Sequence, residues 1–179
     1  MVVPESIRVY GDPVLKTKAA PVADVDAKAV RLVDKMFDAL YETDNGVALA
    51  APQIGVQKQV VVWDFGEDPT VVFNPEIVEA DGEWVYEEGC LSIPGLYVEI
   101  VRPKQVHVRG LDLQGNPVDW EADELHARMF QHVLDLLNGV LMFDRMTLEQ
   151  RKAALAEYQR IQEQSTPVEP PPRRRLRLR

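Results

Sequence analysis

The chain is 179 residues long, carries a formal net charge of −9 and contains a single cysteine, Cys90. That length suits one domain with a real core, and the acidic balance weighs against a body that binds DNA or RNA non-specifically. One cysteine excludes an internal disulfide, no apolar run reaches the roughly 20 residues of a membrane helix, and the start, Met1 to Glu5, lacks a signal-peptide pattern; a cytoplasmic protein is expected.

From the N-terminus, Asp24 to Thr43 predicts a first helix. Val30, Val33, Phe37, Leu40 and Tyr41 fall at helical spacing, Asp24 or Asp26 can cap it, and Asp44-Asn45-Gly46 ends it. The middle is strand-rich: Gln59–Phe65, Thr70–Ala80 broken at Asn74-Pro75, Glu83–Ser92, Tyr97–Val101, Gln105–Arg109 and Pro117–Glu121. Asp81-Gly82 and Gln114-Gly115-Asn116 are turn sequences, and such short connections favour antiparallel pairing. Asp123 to Asn138 predicts a second helix, closed by Gly139 and apolar on almost every side, from Leu125 and Ala127 to Leu137; a helix of that kind sits at the centre of a domain. Thr147 to Ser165 predicts a third, opened by a Thr147/Gln150 capping box, with Leu148, Leu155, Tyr158 and Ile161 as its apolar stripe. After Ser165 the composition turns to proline and then arginine. The expected organisation is an α+β domain over 1–165 and a disordered basic tail over 166–179.

Three stretches carry chemistry. Gly46-Val47-Ala48-Leu49-Ala50-Ala51-Pro52-Gln53 joins small residues, which permit close backbone approach, to an amide that both donates and accepts. Taken alone it reads equally as a packed loop. Glu88-Gly89-Cys90-Leu91-Ser92 sets a thiol beside a glycine and a backbone N–H, at Leu91, that could polarise a carbonyl oxygen. A lone Cys is otherwise a buried small hydrophobe. Gln131-His132-Val133-Leu134-Asp135-Leu136 places His132 on the apolar helix, where a single histidine by itself reads as core.

In this order and spacing the three stretches resemble the signatures of the polypeptide deformylases. Asp12-Pro13-Val14-Leu15, Asn74-Pro75 and Leu137-Asn138-Gly139-Val140-Leu141 extend the likeness across about residues 1–160. The resemblance implies a deformylase-like fold: antiparallel sheets packed around a buried central helix that carries His132. It also implies the family reaction, metal-dependent hydrolysis of the N-formyl group from the initiator Met of new bacterial proteins. In the family a Cys and two His hold a divalent metal, usually Fe2+, and an intervening Glu serves as general base and acid. Carried over, Cys90 and His132 are remnant metal ligands, while Gln53, the Leu91 N–H and Gly46 belong to the substrate site.

Two positions depart from the pattern. Val133 stands where the family has its catalytic Glu, and Leu136 where it has the second His; Ala48 also replaces a glycine. Leu136 offers no lone pair, and a hydrolytic metal site generally needs three protein ligands and one open position. Val133 can neither take nor give a proton, a service typically worth about 10²–10⁴-fold. No catalytic residue is therefore intact, and the expectation is an inactive or severely impaired deformylase homologue, its metal absent or weakly bound. The competing expectation is an active deformylase with an atypical metal site. Asp135, His126 and His107 are not expected to substitute as ligands. The expected partners are formyl-methionyl or other peptide N-termini, and the ribosome through Arg173–Arg179, with neither membrane nor DNA involved.

Overall fold

The computed structural model describes residues 4–66 and 68–165. The expected basic tail at 166–179 lies outside the described residues.

Helix α1 (Ala27–Tyr41) starts at Asp26, whose carboxylate accepts from the Lys28 and Ala29 N–H groups at 2.8 and 2.9 Å. Asp26 rather than Asp24 is thus the cap. The buried face is Ala29, Val33, Met36, Ala39 and Leu40, rotated from the expected stripe. Tyr41 is exposed; it stacks on Phe37 and donates to Asp64 at 2.8 Å, because its hydroxyl can be satisfied at the rim while Met36 fills the core.

Five strands form one antiparallel sheet in the order β1 (Ala48–Ala50), β2 (Val60–Trp63), β3 (Thr70–Asp81), β6 (Gln105–Leu111), β7 (Pro117–Asp123). Strands β4 (Trp84–Cys90) and β5 (Ile93–Arg102) pair separately as a hairpin. The expected break at Asn74-Pro75 is instead an irregularity inside β3, where the register against β6 shifts between Phe73 and Glu76. Pro75 has no N–H for the ladder. Asn74 takes a left-handed conformation, φ 50°, and its side-chain amide exchanges bonds with the Val22 N–H and C=O. β5 begins earlier than expected, at Ile93, because Cys90 pairs with Ile93 across the two-residue turn Leu91-Ser92.

Helix α2 (Glu124–Leu137) is enclosed from Ala127 onward, with Phe130, Val133, Leu134, Leu136 and Leu137 in one cluster with Cys90, Ile93 and Val108. This is the expected central helix carrying His132. Its first turn departs from expectation: Leu125 is exposed, since β7 leads directly into the helix at the domain surface. Helix α3 (Leu148–Ser165) has the expected capping box, with Thr147 Oγ1 accepting from Gln150 N and Gln150 Oε1 from Thr147 N. Leu148, counted in the expected stripe, is exposed; Ala154 takes its place in the core beside Tyr158. No helix among the described residues is long and apolar enough to cross a membrane.

Gly139 ends α2 at φ +71°, and a Cβ there would lie 2.7 Å from the Lys16 carbonyl carbon and oxygen. A left-handed non-glycine residue costs about 1–2 kcal/mol before any clash. Gly139→Ala is therefore expected to lower stability by about 2 kcal/mol or more, read from the midpoint of urea unfolding.

Candidate functional site

The first motif folds as β1 followed by a 3₁₀ turn, Ala51–Ile54, that Gly55 closes in a left-handed conformation. This buries Gln53. Its Oε1 accepts from the Ala50 N–H at 2.9 Å, which fixes the amide so that Nε2 points to Ser92 Oγ at 3.1 Å and Cys90 Sγ at 3.9 Å. The second motif is the end of β4 and the hairpin turn, so Cys90 sits at the tip, buried, with the Leu91 N–H beside it. Among the described residues that N–H takes no partner from turn or loop backbone. The third motif brings α2 against the tip and presents His132.

Gln53, Cys90, Leu91, His132 and Val133 line one pocket of about 240 Å³, with Gly46 at its edge and Leu125, Met129 and Tyr97 in its apolar walls. A Cβ at Gly46 would lie 2.3 Å from Thr43 Oγ1 and 3.1 Å from Leu91 Cδ1, so the strand edge can close on Leu91 only without a side chain there. The structure thus brings together every expected site residue except Leu136. That residue is 1% exposed and packs in the core behind the pocket wall.

The site is backed by a buried ionic network that shares Glu88, Arg128 and His132 with the pocket lining. Glu88 Oε1 pairs with His132 Nδ1 at 2.7 Å. Arg102 grips the same carboxylate through Nε and Nη2, both at 2.7 Å, and reaches Asp135 through Nη1 at 2.9 Å. Arg128 donates to Glu88 at 3.0 Å and to the Trp84 and Ile100 carbonyls, with its guanidinium over the Trp84 ring. Burial alone would raise the Glu88 carboxyl, but Arg102 and His132 outweigh it and hold Glu88 well below the usual carboxylate range. Burial alone would lower His132; the Cys90 and Glu88 charges outweigh it and raise the group to about 10.

Glu88, Arg102 and Arg128 carry no role in the sequence reading, although a signal was present. Arg102 ends an apolar strand and Arg128 lies on an apolar helix, and a charge in such a setting needs a buried partner.

The donors here do not make up a hydrolytic metal site. Of the three expected ligand positions, Cys90 and His132 have donor atoms to offer and Leu136 has none. Both Glu88 oxygens are taken by the arginines and His132, and Asp135 is held by Arg102 and Arg145. His126 packs on Phe65, and His107 on β6 pairs with Asp119 on the neighbouring strand β7. Among the described residues no group of three or more His, Cys, Asp or Glu side chains could hold a metal ion.

The sequence profile of the family described as Polypeptide deformylase matches residues 4–152. The peptide deformylase of Halothermothrix orenii is 44% identical over 142 residues, covering 78% of this chain and 92% of that relative. The peptide deformylase of Thermotoga neapolitana is 47% identical over 141 residues, 78% and 85% of the two chains. Among solved structures, a peptide deformylase from Legionella pneumophila superposes with a TM-score of 0.84 at 36% identity, covering 91% of this chain and 98% of that one. The peptide deformylase from Thermus thermophilus gives 0.81 at 40% identity, over 90% and 99%.

Proposed function

Because the chain belongs to the polypeptide deformylase family and shares its fold, we propose that it is a homologue that has lost metal-dependent deformylation while keeping the pocket that receives a peptide N-terminus. One observation supports this reading: Val133, an isopropyl group, lines the pocket beside Cys90 and His132, and Leu136, an isobutyl group, is buried in the core cluster that also holds Cys90, so neither position expected to carry a proton or a third metal donor has a polar atom. When bound in the family, a divalent metal makes water nucleophilic near neutral pH. Here the donor set offers it a thiol and one imidazole.

The rest of the pocket supports retained binding. Gln53 and Leu91 both line it, and the Leu91 N–H with the Gln53 amide, turned from Ser92 Oγ, would receive a carbonyl oxygen. Leu125, Met129 and Tyr97 give apolar surface for a side chain of methionine size. Oxyanion donors cannot restore turnover, because they stabilise a charge that some nucleophile must first create.

With a formyl-methionyl peptide and added Fe2+, Ni2+ or Zn2+, formate release is expected to fall at least about 10²–10⁴-fold below that of an intact relative, the loss of the proton carrier alone. Turnover at a relative's rate, with stoichiometric metal, overturns the reading.

A further inference from the structure

The β4–β5 hairpin turns Glu88, Cys90, Ile100 and Arg102 inward and leaves its other face to solvent. Residues at alternate positions share a strand face. On the outward one Val85 pairs with Val101, Glu87 with Glu99 and Gly89 with Tyr97. Val85, Tyr97 and Val101 are 50, 51 and 54% exposed, and both glutamates are exposed. Like charges directly opposite each other across an antiparallel pair destabilise it. Among the described residues no cation pairs with either glutamate: Arg102 is engaged by Glu88 and Asp135, and Lys104 by Glu124.

We propose that a segment of this same chain, Arg173-Arg174-Arg175-Leu176-Arg177-Leu178-Arg179, docks on that face. Its guanidinium groups bridge Glu87 and Glu99, and its leucines cover Val85, Tyr97 and Val101. The inference is separate from the reading of the pocket as a silent deformylase site. Its test measures neither metal nor formate, so either can fail while the other stands.

Charge, composition and reach carry it. The segment has five arginines and no acid in a chain of net charge −9, and the planar fork of an arginine matches a carboxylate. Arginine and leucine together fit a face that joins uncompensated carboxylates to apolar side chains. Helix α3 brings the chain to the place, since it packs on β5, where a Cβ at Gly95 would lie 3.0 Å from Ile161 Cγ2. Glu99 is four residues along β5 from Gly95, roughly 13 Å. Helix α3 ends at Ser165, and the eight residues from there to Arg173 can span up to roughly 26–29 Å. The arginines therefore reach both glutamates within one molecule. A short tether also gives them a high effective concentration, whereas a second copy would lose translational freedom to bind. Glu87, Gly89 and Tyr97 line the pocket as well, so the docked segment flanks it.

The test is limited trypsin digestion of the full-length chain. Loss of its C-terminal residues is followed by intact mass, with a synthetic peptide of residues 166–179 cut alongside. Cleavage tracks the fraction of molecules in which the segment is undocked. The segment is expected to be cut roughly three- to tenfold more slowly than the free peptide, the protection that one or two exposed ion pairs give. The double variant Glu87→Gln, Glu99→Gln should be cut at the peptide's rate. High salt should do the same to the parent chain, which keeps the test decisive if the double variant does not fold. The protection should be unchanged on dilution. A parent segment cut at the peptide's rate, or protection that survives the double variant or high salt, overturns the proposal. So does protection lost on dilution, which would make a second copy the occupant.

Discussion

The double variant Val133→Glu, Leu136→His is expected to bind one divalent metal ion and to release formate from formyl-methionyl peptides, with neither single variant doing both. Residues four apart share a helix face, so a histidine replacing Leu136 joins His132 on the side of α2 that meets Cys90, where Cys90, Val133 and Leu136 already pack in one cluster. That completes the three-ligand set, and a glutamate replacing Val133 enters the pocket directly. The effect on stability separates metal binding from activity. Both new side chains replace buried aliphatic groups, 1% exposed at each position, and a buried polar group without a partner costs about 1–3 kcal/mol. The apo double variant should therefore melt below the parent. Metal at 100 times its Kd should then return about 2.7 kcal/mol, a rise in Tm of roughly 5–10 °C for a domain this size. The parent should show no such rise. Absence of both the metal-dependent rise and formate release would mean that the pocket has changed beyond these two positions, Ala48 being the first place to look.

Arg102→Ala should be the most damaging single substitution in the molecule. Arg102 is 4% exposed and carries three charge-assisted bonds to two buried carboxylates, Glu88 and Asp135. Removing one partner of a buried pair strands the other charge, typically at about 3–5 kcal/mol. At roughly 2–4 °C per kcal/mol the expected fall in Tm is on the order of 10 °C, and urea unfolding should show the same loss. A change within about 0.5 kcal/mol, usual for a surface residue, would contradict the network. The same network predicts acid sensitivity. Glu88 is held below its unfolded value, so its contribution is fully present above about pH 4.5 and is lost as pH falls.

The fold was largely legible because its elements carry redundant local signals. Capping residues at Asp26 and Thr147, turn residues between strands and a helix without a polar face all point the same way. The elements that moved did so for tertiary reasons. The α1 face rotated to bury Met36 and release the Tyr41 hydroxyl. β3 ran through Asn74-Pro75 because Asn74 satisfies the Val22 backbone with its side chain. The pocket residues were legible only through motif order, since Gln53, Cys90 and His132 are 37 and 42 residues apart along the chain and no periodicity connects them. The ionic network was legible only as two arginines, Arg102 and Arg128, in apolar settings, without their partners. Nothing local says that Arg102, Glu88, Arg128 and Asp135 meet, because the meeting depends on how the hairpin lies on the helix.

That meeting also governs how the molecule opens. A two-stranded hairpin is marginal by itself, yet β4–β5 is tied to α2 by Arg102, which holds one carboxylate on each, and by Arg128, which reaches from the helix to main-chain oxygens on both strands. Peeling the hairpin away would expose bare charge on both sides of the seam. Amide protons of β4 and β5 should therefore exchange with deuterium only when the helix also comes apart, as one cooperative block rather than as a fraying flap.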